Sequence, residues 1–196
     1  CLNMQQEGKK PVLFFPTSLG FATSKTITVP RNIGIDMRSS LIYTGQLNEP
    51  CLIIGETILS TTTTYRLNVE RQIQADWTNE NNIGIKFYNA TTSDIYIEYV
   101  NGFTIAIQCI GSGEEGFTYN TVKLGDIVNG KVGIDLTTET DGWTNESLFL
   151  GGRIHIDSNV HPTKDRYGIR MSSIDLTYPG SNNNVFQKPS IEIGEL

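Results

Sequence analysis

The sequence predicts an all-β protein folded as an antiparallel Greek-key β-sandwich with an extended N-terminal arm. Apolar and polar residues alternate in short runs such as residues 65–70 and 94–99, which is typical of strands with one buried face. The dipeptides Asn101-Gly102 and Asn129-Gly130 each separate two such runs, and Asn-Gly in that setting predicts a tight hairpin. A helical period is almost absent, so the sequence predicts strands joined mainly by turns.

The strands follow from the same pattern along the whole chain. A continuous apolar run at residues 12–15 lies between Pro11 and Pro16, and the later runs alternate. In the last long run the apolar parity changes at Ser172-Ser173, which predicts a bulge there. The predicted strands are residues 12–15, 25–29, 33–37, 41–43, 51–59, 65–69, 83–87, 94–99, 103–109, 122–128, 131–136, 148–156, 166–178 and 191–193.

The length of 196 residues suits one domain. We find no internal repeat and no proline-rich linker in the sequence, so we expect an arm or tether at residues 1–24 and a single sandwich domain at residues 25–196.

Composition narrows the function classes. Charged residues make up 18% of the chain, below the usual share of about 25%, and this balance is common in exported β-proteins. The net charge is −6 and no basic cluster exceeds Lys9-Lys10, which argues against a nucleic-acid partner. No apolar run is long enough for a transmembrane helix. We therefore expect an extracellular, cell-surface protein.

The three cysteines support two predictions, a disulfide and a lipid anchor. Cys51 and Cys109 both lie in strand-like runs, and an oxidising compartment favours a disulfide between them. The alternative is two buried free thiols that act as small apolar side chains. Cys1 begins the chain and resembles the acylated first residue of a mature bacterial lipoprotein, which predicts a lipid anchor; the alternative is an ordinary N-terminal cysteine.

The C-terminal strand pair resembles pilin-like subunits of Gram-negative fimbriae. The matching text is residues 150–156, then Pro162, then residues 166–171 and 176–178. This resemblance implies an immunoglobulin-type sandwich that lacks one strand, which the N-terminal arm of a neighbouring subunit supplies. It also implies that the partners are other copies or related subunits, and that the protein is a structural or adhesive subunit of a fimbria-like filament.

The arm has a suitable composition for a donor strand. Its apolar residues Val12, Phe14, Leu19 and Phe21 are separated by small or polar residues, except where the apolar run 12–15 is continuous. The alternative is that these residues form the first strand of their own domain, because strands commonly pair with neighbours in sequence.

The sequence predicts no metal and no cofactor. His155 and Asp157 share a strand face and His161 and Asp165 follow them, but a zinc site needs three or four rigidly held ligands. The glycines of residues 111–116 have dinucleotide-binding spacing, and no helix follows them to receive a pyrophosphate.

Catalysis is not expected either. No Gly-x-Ser-x-Gly motif is present. Asp94, Glu98, Glu114 and Glu115 supply carboxylates of the kind that glycoside hydrolases use, and nothing in the sequence brings two of them face to face. We therefore expect a protein that is not an enzyme.

Two tryptophans support a second candidate function, the binding of a carbohydrate or receptor. Trp77 and Trp143 lie in polar, loop-like segments rich in Asp and Asn, and exposed aromatic rings beside amides are suited to stack on sugars. The alternative is that each ring covers an end of the core. The runner-up function is therefore a carbohydrate- or receptor-binding module of a surface lipoprotein or phage fibre, with a host glycan or receptor as partner.

Overall fold

Three parallel sheets make up the fold. A computed structural model describes residues 11–17, 20–45, 48–55, 62–63, 66–75, 81–156, 165–173 and 180–194. Sheet A contains β1 (Val12–Phe15), β2 (Phe21–Thr23), β4 (Gly34–Met37), β5 (Leu41–Tyr43), β8 (Arg66–Ala75), β11 (Asp94–Asn101), β14 (Thr121–Val128), β17 (Leu148–Ile156), β20 (Val185–Gln187) and β21 (Ser190–Ile193). Sheet B contains β3 (Ile27–Val29), β6 (Pro50–Ile54), β9 (Ile83–Tyr88), β12 (Ile105–Ser112), β15 (Val132–Glu139) and β18 (Tyr167–Ser173). Sheet C contains β7 (Thr62–Thr63), β10 (Ala90–Thr91), β13 (Gly116–Thr118), β16 (Trp143–Asn145) and β19 (Ser181–Asn182).

The chain is a parallel β-solenoid. It passes from sheet A to sheet B to sheet C and returns to sheet A one strand further along, so that each circuit forms one rung. In the central rungs 27 residues separate Asp94 from its neighbour Thr121, and 27 separate Thr121 from Leu148. Each rung pairs in parallel with the next and contacts mainly its neighbours, as in other repeat architectures.

The all-β prediction is confirmed, and the antiparallel Greek-key sandwich, whether immunoglobulin-like or pilin-like, is wrong. Every strand pair among the described residues is parallel, as between β8 and β11 and between β12 and β15. Alternation of apolar and polar residues reports only that one face of a strand is buried, and this is as true of a solenoid rung as of a sandwich strand.

The two Asn-Gly dipeptides form corners of the solenoid and not hairpins. Each joins a strand of sheet A to the next strand of sheet B, and Gly102 and Asn129 have φ of 79° and 58°. The Asn129 Nδ2 donates a hydrogen bond of 2.8 Å to Asn101 Oδ1 on the adjacent rung. The expectation of no internal repeat is therefore wrong at the structural level, because equivalent corners recur once per rung.

Apolar columns along the solenoid axis form the core. In sheet A, the buried residues Leu67, Ile95, Val122 and Phe149 are successive neighbours. Phe149 also stacks on Phe186 of the following rung with ring centroids 4.7 Å apart. Fully burying such a side chain contributes about 1.5–3 kcal/mol, so the fold is held by repeated columns running through the rungs.

A polar ladder holds the corner between sheets C and A. The buried Asn120 donates from Nδ2 to the carbonyl of Ala90 at 2.9 Å, and its Oδ1 accepts from the Ser93 amide at 3.1 Å. Two rungs further, the Asn184 Oδ1 accepts from the amide of Ser147 at 3.2 Å. These side chains satisfy buried backbone groups that the turn leaves without strand partners.

The predicted Cys51–Cys109 disulfide is wrong, because both cysteines are free, buried thiols. Cys51 lies on β6 and Cys109 on β12, and β9 lies between these two strands. Two strand spacings amount to about 9.5 Å, which exceeds the Cα separation of roughly 7 Å that a disulfide tolerates. Cys109 is moreover in register with Phe87 and Ile54, so Cys51 stands in a different column.

The described part of the predicted arm belongs to the first rung. β1 pairs with β4 and β2 with β5, both in parallel. Leu13 and Phe15 pack against the core, whereas Val12 and Phe14 are exposed. Cys1 and Leu19 lie outside the described residues.

Candidate functional site

Sheet A bends at one position along its strands, where outer rungs are broken into two strands and β8 carries a bulge. β4 and β5 are separated by residues 38–40, and β20 and β21 by residues 188–189. In β8 the pairing with β11 shifts between Ile97 and Tyr99, so that Glu70 and Arg71 together oppose the single residue Glu98. This is a β-bulge, a feature that re-aims side chains and is frequent beside binding sites.

A surface cleft of about 310 Å³ lies at this bend. Strict alternation is interrupted on β11 as well, because the adjacent residues Glu98 and Tyr99 are both excluded from the core while the flanking Ile97 and Val100 are buried. The cleft is lined by Ser40, Arg71, Gln72, Glu98 and Tyr99. It combines an aromatic ring with a hydroxyl, an amide, a guanidinium group and a carboxylate.

Tyr96 orients the carboxylate of the cleft, Glu98. The Tyr96 hydroxyl donates a hydrogen bond to Glu98 Oε2. This bond, together with partial burial and the negative charges of Glu98 and Glu70, raises the pKa of Tyr96. Tyr96 therefore stays a neutral donor at physiological pH, and it fixes the position of the acceptor that the cleft presents to a ligand.

A second polar cluster on sheet A, outside the residues that line the cleft, is hydrogen-bonded within itself. The Asn68 Nδ2 donates to Asp36 Oδ1 at 2.9 Å and to Glu70 Oε1 at 2.8 Å. Asp36 also accepts from Arg38 Nη2 at 2.9 Å. Hydrogen bonding from Arg38 outweighs the opposing effect of burial and lowers the pKa of Asp36, so this carboxylate is ionised and already paired.

A larger cleft of about 780 Å³ lies at the outer side of sheet B near the first rungs. Its lining includes Lys25, Glu49 and Ile53, and the hydroxyl groups of four further residues. Those four are Ser24, Thr26, Thr28 and Thr44. One of the hydroxyls is already committed, because Thr26 Oγ1 donates to the Pro50 carbonyl at 2.6 Å. In the residues that line it this cleft offers no aromatic platform.

Of the two tryptophans expected to contact a glycan, the structure describes Trp143. Trp143 begins β16 and is half-buried, and a Cβ at Gly116 would lie 2.2 Å from its indole Nε1. The ring therefore packs closely over Gly116, its register neighbour on β13. Trp77 lies outside the described residues.

The histidine region forms an ion-pair cluster. Arg153 Nη2 lies 3.1 Å from Glu192 Oε2, and His155 Nδ1 lies 3.4 Å from the same oxygen. Asp157 and His161 lie outside the described residues, and Asp165 is exposed. Across the described part of the chain no three potential metal ligands come together, and no helix suited to cross a membrane occurs there.

The carboxylates named from the sequence are dispersed. Asp94 lies 3.5 Å from Lys123 Nζ, whereas Glu98 faces the cleft. Glu114 has a positive φ of 63° in the turn between β12 and β13, and Glu115 follows it. Sequence reasoning named Glu98 but missed Arg71, Gln72 and Tyr99, because the bulge that groups them depends on pairing between separate rungs.

No family model, curated protein or solved structure matches the chain in the three comparisons that we made.

Proposed function

We propose that the protein is an extracellular binding module that presents the outer face of sheet A to a carbohydrate. The observation that carries the proposal is the cleft at the bend, where Tyr99 stands beside Glu98, Gln72 and Arg71. An aromatic ring stacks on the apolar face of a pyranose, while the carboxylate, amide and guanidinium groups bond its hydroxyls.

The architecture supports this proposal in a second way. Strands of sheet A fix the backbone on both sides of the cleft, and the Tyr96–Glu98 bond holds the acceptor before a ligand arrives. Preorganised polar groups reduce the ordering cost of binding. A rigid sheet face is accordingly a better platform for a weakly apolar ligand than a loop.

The test is a glycan array followed by calorimetric titration of the best ligand. We expect Tyr99→Ala to weaken binding at least tenfold, because stacking is lost, and Glu98→Gln to weaken it by a smaller factor. Tyr119→Ala is the matched control, since this tyrosine is 61% exposed and does not line the cleft. Equal loss in the control, or unchanged binding in both cleft variants, would refute the proposal. Release of shorter products from the bound glycan would instead assign a hydrolase.

Assembly by strand addition is a second candidate function. Among the described residues β1 pairs only with β4, and β21 only with β17. Val12 is 55% exposed and Ile193 48% exposed on these rungs. An edge strand with exposed apolar side chains is a template for pairing with another chain. A further copy would add a parallel rung here, whereas the fimbrial resemblance implied completion of a sandwich.

Sedimentation velocity tests this second candidate. If copies add to one another, the intact chain forms concentration-dependent oligomers, and Val12→Asp reduces them because the pairing surface acquires a charge. Val185→Asp serves the same purpose on the opposite end rung, where this side chain is also exposed. A monomer at every concentration would remove the assembly function and leave the binding function unaffected.

A further inference from the structure

A line of glycines continues from the cleft across the next two rungs. Glu98 on β11 is followed in register by Gly125 on β14 and Gly152 on β17. A Cβ at Gly125 would lie 2.2 Å from the Glu98 carbonyl oxygen, so a side chain cannot be placed there without a backbone shift. Gly151 and Gly152 have φ of 68° and 94°, a conformation that glycine adopts at no steric cost.

Two columns of outward side chains flank these glycines. Tyr96, Lys123 and Leu150 form one column, and each is the register neighbour of the next. The second column consists of Tyr99, Asp126 and Arg153. Leu124 lies between the columns on β14 but packs against the core. The outer surface between the columns is therefore backbone alone on β14 and β17, which we call the glycine trough.

The glycine trough runs along the solenoid axis. Adjacent rungs are about 4.8 Å apart, so the surface from Gln72 on β8 to Arg153 on β17 spans three spacings, or about 14 Å. A single sugar ring cannot cover this length. Exposed backbone in a strand interior is also where a ligand can approach closely.

Carboxylates compensate the two cations beside the glycine trough, Lys123 and Arg153. Lys123 pairs with Asp94 at 3.5 Å, and Arg153 pairs with Glu192 at 3.1 Å. Asp126 is the register neighbour of Arg153 and adds a further carboxylate. Paired cations do not create the uncompensated positive field that attracts a polyanion, whereas hydroxyl groups find both donors and acceptors here.

We propose that the glycine trough extends the cleft into one site for a linear, neutral oligosaccharide of at least three units, which lies parallel to the solenoid axis. This inference rests on the proposed carbohydrate-binding function. In the bound chain one pyranose stacks on Tyr99, and the following units pass over Gly125 and Gly152 toward Leu150 and Arg153.

The experiment is calorimetric titration with cello-, malto- and chito-oligosaccharides of one to six units, with oligogalacturonides of the same lengths as acidic comparators. We expect Kd in at least one neutral series to fall at least tenfold between one and four units and then to level off. Arg153→Ala should weaken tetrasaccharide binding about fivefold and leave disaccharide binding unchanged. Arg38→Ala is the matched control, because Arg38 is exposed to the same degree and also pairs with a carboxylate on sheet A.

The outcomes separate the two proposals. Equal affinity for one unit and for four, or tighter binding of the acidic series, overturns the glycine-trough inference while the cleft retains its function. An Arg153→Ala effect that is the same at every length also overturns it. If none of these probes and no glycan on the array binds, the carbohydrate function itself fails. Thermal melts of each variant confirm that the loss is not caused by unfolding.

Discussion

Arg170 holds the carboxylate of Asp135 with two hydrogen bonds across neighbouring strands of sheet B. Its Nε donates to Oδ1 and its Nη2 to Oδ2, each at 2.9 Å. From the opposite side Gln108 Nε2 donates to Oδ2 at 3.0 Å. The Asp135 side chain is 1% exposed, so one buried carboxylate links three successive rungs.

Removing Arg170 should destabilise the protein more than removing Asp135. Arg170→Ala leaves a buried charge without its cation, and breaking a buried pair in that way costs about 3–5 kcal/mol. Asp135→Ala leaves Arg170, which is 34% exposed and can turn to water, so we expect a loss of about 1–2 kcal/mol. Urea denaturation measures both values. Arg38→Ala, which breaks an exposed pair with Asp36, should cost about 0–1 kcal/mol, and the reverse order of the two sheet-B variants would contradict this account.

The same carboxylate predicts how stability depends on pH. Burial raises the pKa of Asp135, but hydrogen bonds from Arg170 and Gln108 outweigh burial, so the folded pKa lies below its usual value. The unfolded chain has a pKa near 3.9 and takes up the proton first as the pH falls. The stabilisation is therefore complete well above about pH 4 and is lost as the pH falls through the folded pKa. Urea midpoints of the wild type and Asp135→Asn should converge in acid; a constant difference down to pH 2 would refute the assignment.

Sequence reasoning located the strands better than their partners. The alternation at residues 94–99 lies within β11, and the run predicted at residues 131–136 lies within β15 from Val132 onward. It did not reveal that β11 pairs with β8 and β14, because pairing in a solenoid joins residues one rung apart whose side chains differ. Ser93, Asn120 and Ser147 occupy equivalent corner positions without repeating one residue type.

The candidate site was partly visible in the sequence. Glu98 was named as a carboxylate, but its grouping with Arg71 and Tyr99 follows from a bulge that only strand register defines. A usable signal existed in the glycines, because Gly125 and Gly152 follow Glu98 at the rung period. A search for residue types that recur at a fixed spacing would detect this glycine signal, whereas a search for repeated sequence motifs does not.

The two described cysteines should resist alkylation in the native state. Burial raises the pKa of the Cys51 thiol to about 12. Burial also raises the pKa of the Cys109 thiol, and the nearby negative charge of Asp135 adds a smaller contribution in the same direction. The reactive species is the thiolate, so neither residue should react with iodoacetamide at pH 8 until denaturant is added. Peptide mass spectrometry assigns the labelled positions. A peptide pair linked through Cys51 and Cys109, found without reducing agent, would contradict the free, separated thiols.

Gly125 should be among the least replaceable residues of sheet A. A Cβ there would lie 2.2 Å from the carbonyl oxygen of Glu98 and 2.9 Å from its carbonyl carbon. These atoms belong to the backbone of β11 and cannot rotate away, so Gly125→Ala must displace one strand from the next. Overpacking of this kind costs about 1–3 kcal/mol.

Gly34→Ala is the matched control, because Gly34 also lies in sheet A and its added Cβ would come no closer than 3.3 Å to the Arg66 carbonyl oxygen. We expect its midpoint in urea to change less than that of Gly125→Ala, since the added Cβ requires a shift of only a few tenths of an ångström. The comparison also reports on the site, because displacement of β14 from β11 moves Asp126 relative to Tyr99. Gly125→Ala should therefore weaken binding of the longest oligosaccharide even at temperatures where the variant is fully folded. Equal stability of the two variants would show that the strands separate freely at the bend, and the bend would then not hold the cleft in one shape.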